Sequence, residues 1–92
     1  MTEPREVMVK RLAMRSMRRG IKEMDLILMD FADRHLAGMS AEELALYDRL
    51  LAENDHDILA WIMGKAPVPD DYSGLMARIA AGAAGVAKPG SA

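Results

Sequence analysis

The sequence contains no cysteine, which excludes disulfides, thiolate metal sites and a cysteine nucleophile together. Aromatic residues are nearly as scarce: Phe31, Tyr47, Trp61 and Tyr72 are the four in 92 residues. The core must therefore be filled by Leu, Ile, Met and Ala. β-branched residues are sparse too, which argues against a sheet. Unbranched side chains and Ala lose little rotamer freedom in a helix, so the same palette favours helices. No apolar run approaches the ~20 residues needed to span a bilayer, so membrane insertion is not expected. Only two histidines occur, His35 and His56. They form no His-x-x-x-His spacing and no pair of Glu-x-x-His motifs, so no metal site is expected. Glu3 and Glu6 stand where a signal peptide or an acid-poor transit peptide would need other residues. The expected location is the bacterial cytoplasm.

What is present is a short, amphipathic, charge-asymmetric chain. Its length allows one domain, which buries roughly 60–65% of the surface its unfolded form exposes. The net charge is −2. Residues 1–22 hold seven bases against two acids, a net of +5, and residues 23–92 hold five against twelve, a net of −7. Such a split is suited to an oriented electrostatic encounter with a partner, or to a merely dipolar surface.

Hydrophobic periodicity predicts five helices in a compact bundle, all-α and single-domain. The first runs from Pro4, suited to a first turn, to Arg19, with Val9, Leu12, Ala13 and Met17 on one face. Arg11, Arg15, Arg18 and Arg19 fall on the other, and Gly20 follows as a left-handed terminator. The second helix covers residues 21–36, with an apolar stripe of Ile21, Met24, Ile27, Leu28, Phe31 and Ala32. Ser40-Ala-Glu-Glu43 reads as a capping box opening a third helix to about Glu53, with Leu44, Tyr47, Leu50 and Leu51 inward. Asn54 or Asp55 caps a fourth helix ending near Gly64. Its Ile58, Leu59, Trp61, Ile62 and Met63 cover most of the circumference, which predicts a well-buried helix with Trp61 inside. A rigid connector, Ala66-Pro-Val-Pro69, leads to a fifth segment starting at Asp70 or Asp71, with Tyr72, Leu75, Met76 and Ile79 at helical spacing. Residues 1–80 form the helical domain. Residues 81–92, rich in Ala and Gly, have too few large side chains to offset ordering and are expected to be a flexible tail.

Catalytic groups are few. Gly82-Ala-Ala-Gly85 lacks both the spacing and the preceding strand of a phosphate loop. Asp55 and Asp57 suit a helix N-terminus, where the dipole favours anions. No enzyme is expected. A basic first helix raises nucleic-acid binding, but the acidic remainder and the lack of a helix-turn-helix pattern speak against it. The stretch Arg18-Arg-Gly-Ile-Lys-Glu-Met-Asp25 has a local reading: cations at a helix end, a glycine turn, then anions at a helix start.

The same stretch carries a resemblance. Arg19-Gly20-Ile21-Lys22-Glu23 matches the Arg-Gly-x-x-Glu hallmark of the bacterial SdhE-type factors and their mitochondrial relatives, the succinate dehydrogenase assembly factors. Leu46-Tyr-Asp-Arg-Leu-Leu51, followed by Asp57-Ile-Leu-Ala-Trp61, is a second matching block, and the connector at 66–69 is a third. The likeness covers about residues 8–80. Ile21 stands where that family most often has Met, and Met24 where Leu is common; both stay apolar.

The resemblance implies a helical bundle, itself no oxidoreductase. It would bind the flavoprotein subunit of succinate dehydrogenase, or of fumarate reductase, and promote covalent attachment of FAD to it. FAD would be handled on the client and not held stably here, and the factor would act as a monomer. Arg19, Gly20 and Glu23 would form the contact surface with Arg18 and Asp25 beside them, while Tyr47 and Trp61 would be structural. The expectation drawn from these readings is that Arg19 and Glu23 both point outward. A generic helical adaptor with another client is the alternative.

Overall fold

Apolar periodicity alone would allow several packings of these helices; the computed structural model, which describes residues 3–86, shows the one adopted. Its helices are α1 (Arg5–Arg15), α2 (Lys22–His35), α3 (Ala41–Leu51), α4 (Asp55–Ile62) and α5 (Ser73–Val86). Single 3₁₀ turns at Leu36–Gly38 and Asp70–Tyr72 follow α2 and precede α5. No strand occurs among the described residues. No described helix is long and apolar enough to cross a membrane.

The stripe of α2 supplies the centre of the core. Met24, Ile27, Leu28, Phe31 and Ala32 are all buried. They pack chiefly on α5, whose Leu75, Met76, Ile79 and Ala83 face them. Leu12 of α1 and Leu44, Tyr47, Leu50 and Leu51 of α3 close the other side, and Ile58 brings in α4. Burying each such side chain contributes roughly 1.5–3 kcal/mol before the entropy of ordering is set against it.

Local signals set several boundaries. The Ser40 hydroxyl accepts the Glu43 N–H at 3.1 Å, and the Glu43 carboxylate accepts the Ser40 N–H at 2.7 Å, completing the capping box of α3. That bond from the Ser40 backbone holds the Glu43 carboxyl below its ordinary range. Asn54 caps α4 by accepting the His56 N–H at 2.8 Å.

Three expectations are corrected. Helix α1 stops at Arg15 and not Arg19. Ser16 is fully buried, its hydroxyl donating back to Leu12 O at 2.8 Å and lying 2.6 Å from the Tyr47 hydroxyl. A serine bonding four residues back weakens helix continuation. The chain then leaves the helix, with Arg18 at φ 57° and Gly20 at φ 97°.

Helix α4 is not buried all round. Ile58 alone is fully covered, Leu59, Trp61 and Ile62 are half-buried, and Met63 is 60% exposed. An eight-residue helix at the margin of a small bundle has neighbours on only part of its circumference. Trp61 packs against Tyr72 with ring centroids 5.9 Å apart, at the edge of the core.

The expected domain boundary at Ala80 falls inside a helix: α5 continues to Val86. Alanine is the best helix former, and Ala83 packs into the core. The rest of the expected flexible tail, residues 87–92, lies outside the described residues.

Candidate functional site

The connector between α1 and α2 is held by its own side chains. Arg19 sends its guanidinium inward, with only 12% of the side chain exposed. It donates to Asp55 Oδ1 at 2.8 Å, to Leu51 O at 2.8 Å and to Arg15 O at 3.0 Å. One side chain thus satisfies carbonyls left open at the ends of α1 and α3 and pairs with the first residue of α4. The Arg19 backbone N–H donates to the Asp25 carboxylate, tying the connector to the first turn of α2. The expectation that Arg19 points outward is therefore corrected. A guanidinium carries five donors in a planar fork, and three acceptors converge here on one spot.

The residues on either side of Arg19 face solvent. Arg18, Gly20, Lys22 and Glu23 are exposed, Asp25 is half-buried, and Ile21 is half-buried against the core. A methyl group built on Gly20 would meet nothing within 4 Å. What restricts this position is its left-handed backbone, not crowding, and the space before it is open to an approaching chain. Arg18 takes the left-handed region without glycine's freedom, at a cost of roughly 1–2 kcal/mol. Glu23 has no ion pair or hydrogen-bond partner among the described residues, whereas Asp25 and Asp55 are both engaged by Arg19. Of the expected contact residues, Arg18, Gly20 and Glu23 are each exposed. Arg19 and Asp25 form the support beside them.

The basic first segment is largely neutralised from within. Arg11 grips Asp48 through two bonds of 3.0 Å and Glu3 through bonds of 2.9 and 2.8 Å. Arg15 also donates to Asp48. Arg5 donates to the carbonyls of Ala37 and Met39. Only Lys10, Arg18 and Lys22 of the seven bases remain exposed without a partner among the described residues. The Arg11 guanidinium holds the Asp48 and Glu3 carboxyls below their ordinary ranges. This clamp joins α1 to α3 around the Ser16–Tyr47 contact. Burial pushes the Tyr47 hydroxyl up to about 12, against the opposing pull of the Ser16 hydrogen bond and the Arg19 charge.

The histidines take separate places. His35 is half-buried, its ring 4.7 Å from that of Phe31, and His56 is exposed in the first turn of α4. No group of three or more His, Asp or Glu residues among those described is placed to hold a metal ion.

Two structural roles had no clear signal in the sequence. Asp55 looked like a helix-dipole anion and is also the partner of Arg19, 36 positions away. Asp48, inside the second matching block, proves to be the acceptor for α1.

Comparison with known proteins identifies the family of the chain. Residues 10–83 match the family model described as "Flavinator of succinate dehydrogenase". The chain is 40% identical over 79 residues to succinate dehydrogenase assembly factor 2-A, mitochondrial, of Drosophila yakuba, covering 84% of this chain and 49% of that protein. It is 49% identical over 65 residues to succinate dehydrogenase assembly factor 2, mitochondrial, of Aspergillus terreus, covering 71% of this chain and 22% of that protein. The chain therefore spans about half the length of the insect relatives it matches, and less of the fungal ones.

Proposed function

Because this chain belongs to the flavinator of succinate dehydrogenase family, we propose that it binds the flavoprotein subunit of succinate dehydrogenase and promotes covalent attachment of FAD to that subunit. The fumarate reductase flavoprotein is a second client of the same chemistry. The relatives' names describe an assembly factor and not a catalytic enzyme, and this chain acts in the same way.

The observation that carries this reading is the division of labour inside Arg19-Gly20-x-x-Glu23. The arginine fastens the connector to α3 and α4, and the glycine and the glutamate beside it are exposed. A fastened connector loses little entropy on binding. Gly20 admits a close backbone, and Glu23 offers a carboxylate for a charge-assisted hydrogen bond.

FAD is the client's cargo in this scheme. The factor contributes by binding one conformation of the client more tightly than another, which shifts the client toward the arrangement in which flavin and acceptor residue meet. A tenfold preference is worth about 1.4 kcal/mol, within reach of a few polar contacts. Once the bond has formed and the client has closed, that preference is lost and the factor leaves.

Co-expression with the flavoprotein subunit, followed by in-gel flavin fluorescence after denaturation, tests the proposal. Fluorescence on the subunit should appear with the wild-type chain and fall sharply with Glu23→Ala. Equal fluorescence with and without the chain would overturn it.

A further inference from the structure

Resting on the reading just given, we propose that the groove beside Glu23, between α2 and α4, receives an apolar side chain of the flavoprotein client, with a neighbouring Arg or Lys of the client pairing with Glu23.

The groove has a volume of about 490 Å³. Its apolar lining comes from Ile27 of α2 and from Leu59, Ala60 and Met63 at the end of α4. These include residues that helical periodicity assigns to a buried helix and that the bundle leaves half-covered. Met63 is 60% exposed although its neighbours are apolar. A methionine is flexible and polarizable, and so adapts to an incoming surface. The open side of α4 is thus an apolar face that the chain's own described helices do not cover.

Charge narrows the occupant. Glu23 is the only carboxylate lining the groove, and it is exposed and unpaired among the described residues. Of the acids flanking it, Asp55 is paired with the Arg19 guanidinium, and the half-buried Asp25 accepts the Arg19 backbone N–H. Glu23 is therefore free to accept a guanidinium or ammonium at the edge of an apolar surface, where such a pair is stronger than in open water. The remaining polar lining is His56 and Lys65, and the Lys65 ammonium keeps an incoming base on the Glu23 side. A segment with one apolar side chain and one adjacent base matches the apolar lining and the Glu23 carboxylate at its edge.

The groove is also continuous with the exposed edge of the family motif through Glu23 itself. One client segment can run along Gly20 and Glu23 and seat its apolar side chain between the helices.

The test uses the full chain and the purified apo-flavoprotein subunit of succinate dehydrogenase, with affinity read by calorimetry. Ala60→Phe fills the groove from within, and Met63→Asp makes its lining polar. Each should weaken binding roughly tenfold or more. Met14→Asp, at a position 70% exposed on α1, should bind as wild type. Met63→Ser guards against a folding artefact and should weaken binding with melting unchanged. Raising salt should weaken the wild type more than Glu23→Gln, because the variant lacks the ion pair.

Wild-type affinity in both groove variants, beside lost binding by Glu23→Ala, would overturn the groove and leave the proposed function standing. Failure of the wild type to bind the subunit would overturn both. Saturable binding of free FAD that disappears in Ala60→Phe would show a flavin pocket in place of a segment-binding groove, and would overturn this inference.

Discussion

Two sides of this bundle answer opposite demands. Where α1 meets α3, the main polar groups are turned onto one another, Arg11 and Arg15 on Asp48 and Ser16 on Tyr47, with Arg5 on backbone carbonyls of the turn before α3. Where α2 meets α4, a carboxylate and a methionine stand in solvent beside half-covered apolar residues. The closed side gains a fixed geometry from its internal partners. The open side keeps unspent interactions, which is what a docking surface requires. Arg19 joins the two, since its connector leaves α1 on the closed side and delivers Glu23 to the open one.

Substitutions on the two faces of α4 should break the comparison most visibly. Ile58→Ala removes a fully buried side chain and should cost about 2–4 kcal/mol, whereas Met63→Ala should cost under about 0.5 kcal/mol. Trp61→Ala falls between, at about 1–3 kcal/mol, less than the usual cost for a buried aromatic because the ring is only half covered. Thermal and denaturant melting read all three. If Met63 matched Ile58, α4 would not have an open side.

Arg19→Ala should follow, at about 2–3 kcal/mol, because it strands Asp55 and two carbonyls in a mostly buried setting. Asp55→Ala should act on the same contact, so the double variant should cost clearly less than the two singles added. Additive losses would show that the pair does not work as a unit. Glu23→Ala should leave melting within about 0.5 kcal/mol of wild type while client flavin attachment falls, which separates contact from support.

The smallest effects are in pH dependence, and they distinguish the closed side again. Asp48 and Glu3 have carboxyl pKa values lowered by Arg11, so the unfolded chain binds more protons in acid. Their contribution is present above the ordinary values of 3.8 and 4.5 and is lost as pH falls through the lowered ones. Asp48→Asn should flatten that acid limb. Tyr47 titrates higher when folded, so its contribution is present below pH 10 and lost as pH rises toward about 12. Tyr47→Phe should remove this alkaline loss while costing about 1 kcal/mol at neutral pH for the Ser16 hydrogen bond. Melting across the two pH ranges checks both signs.

Much of the scaffold was legible from residues alone. The stripe of α2 and the inward face of α3 follow from 3.6-residue spacing, and both are buried where expected. The capping box at Ser40 is a contact between neighbours three positions apart, so four letters carry it. The end of α1 was less legible. Its polar face continues past Arg15, and the serine that stops it does so with a tyrosine 31 positions away. Within the motif, spacing did not say which charge would be exposed: Glu23 is, and Arg19 is turned inward.

The sequence by itself determined the class of the fold, five helices around an aliphatic core, and the family to which its motif belongs. Both are properties of spacing along one chain, and spacing is visible without coordinates. Only the tertiary structure decided that Arg19 turns inward, that the basic first helix is neutralised, and that α4 leaves a groove beside Glu23. A long guanidinium can reach either way from its Cα. Its direction depends on acceptors that α3 and α4 bring from more than thirty positions away, and periodicity says which residues share a face but not which face finds a neighbour.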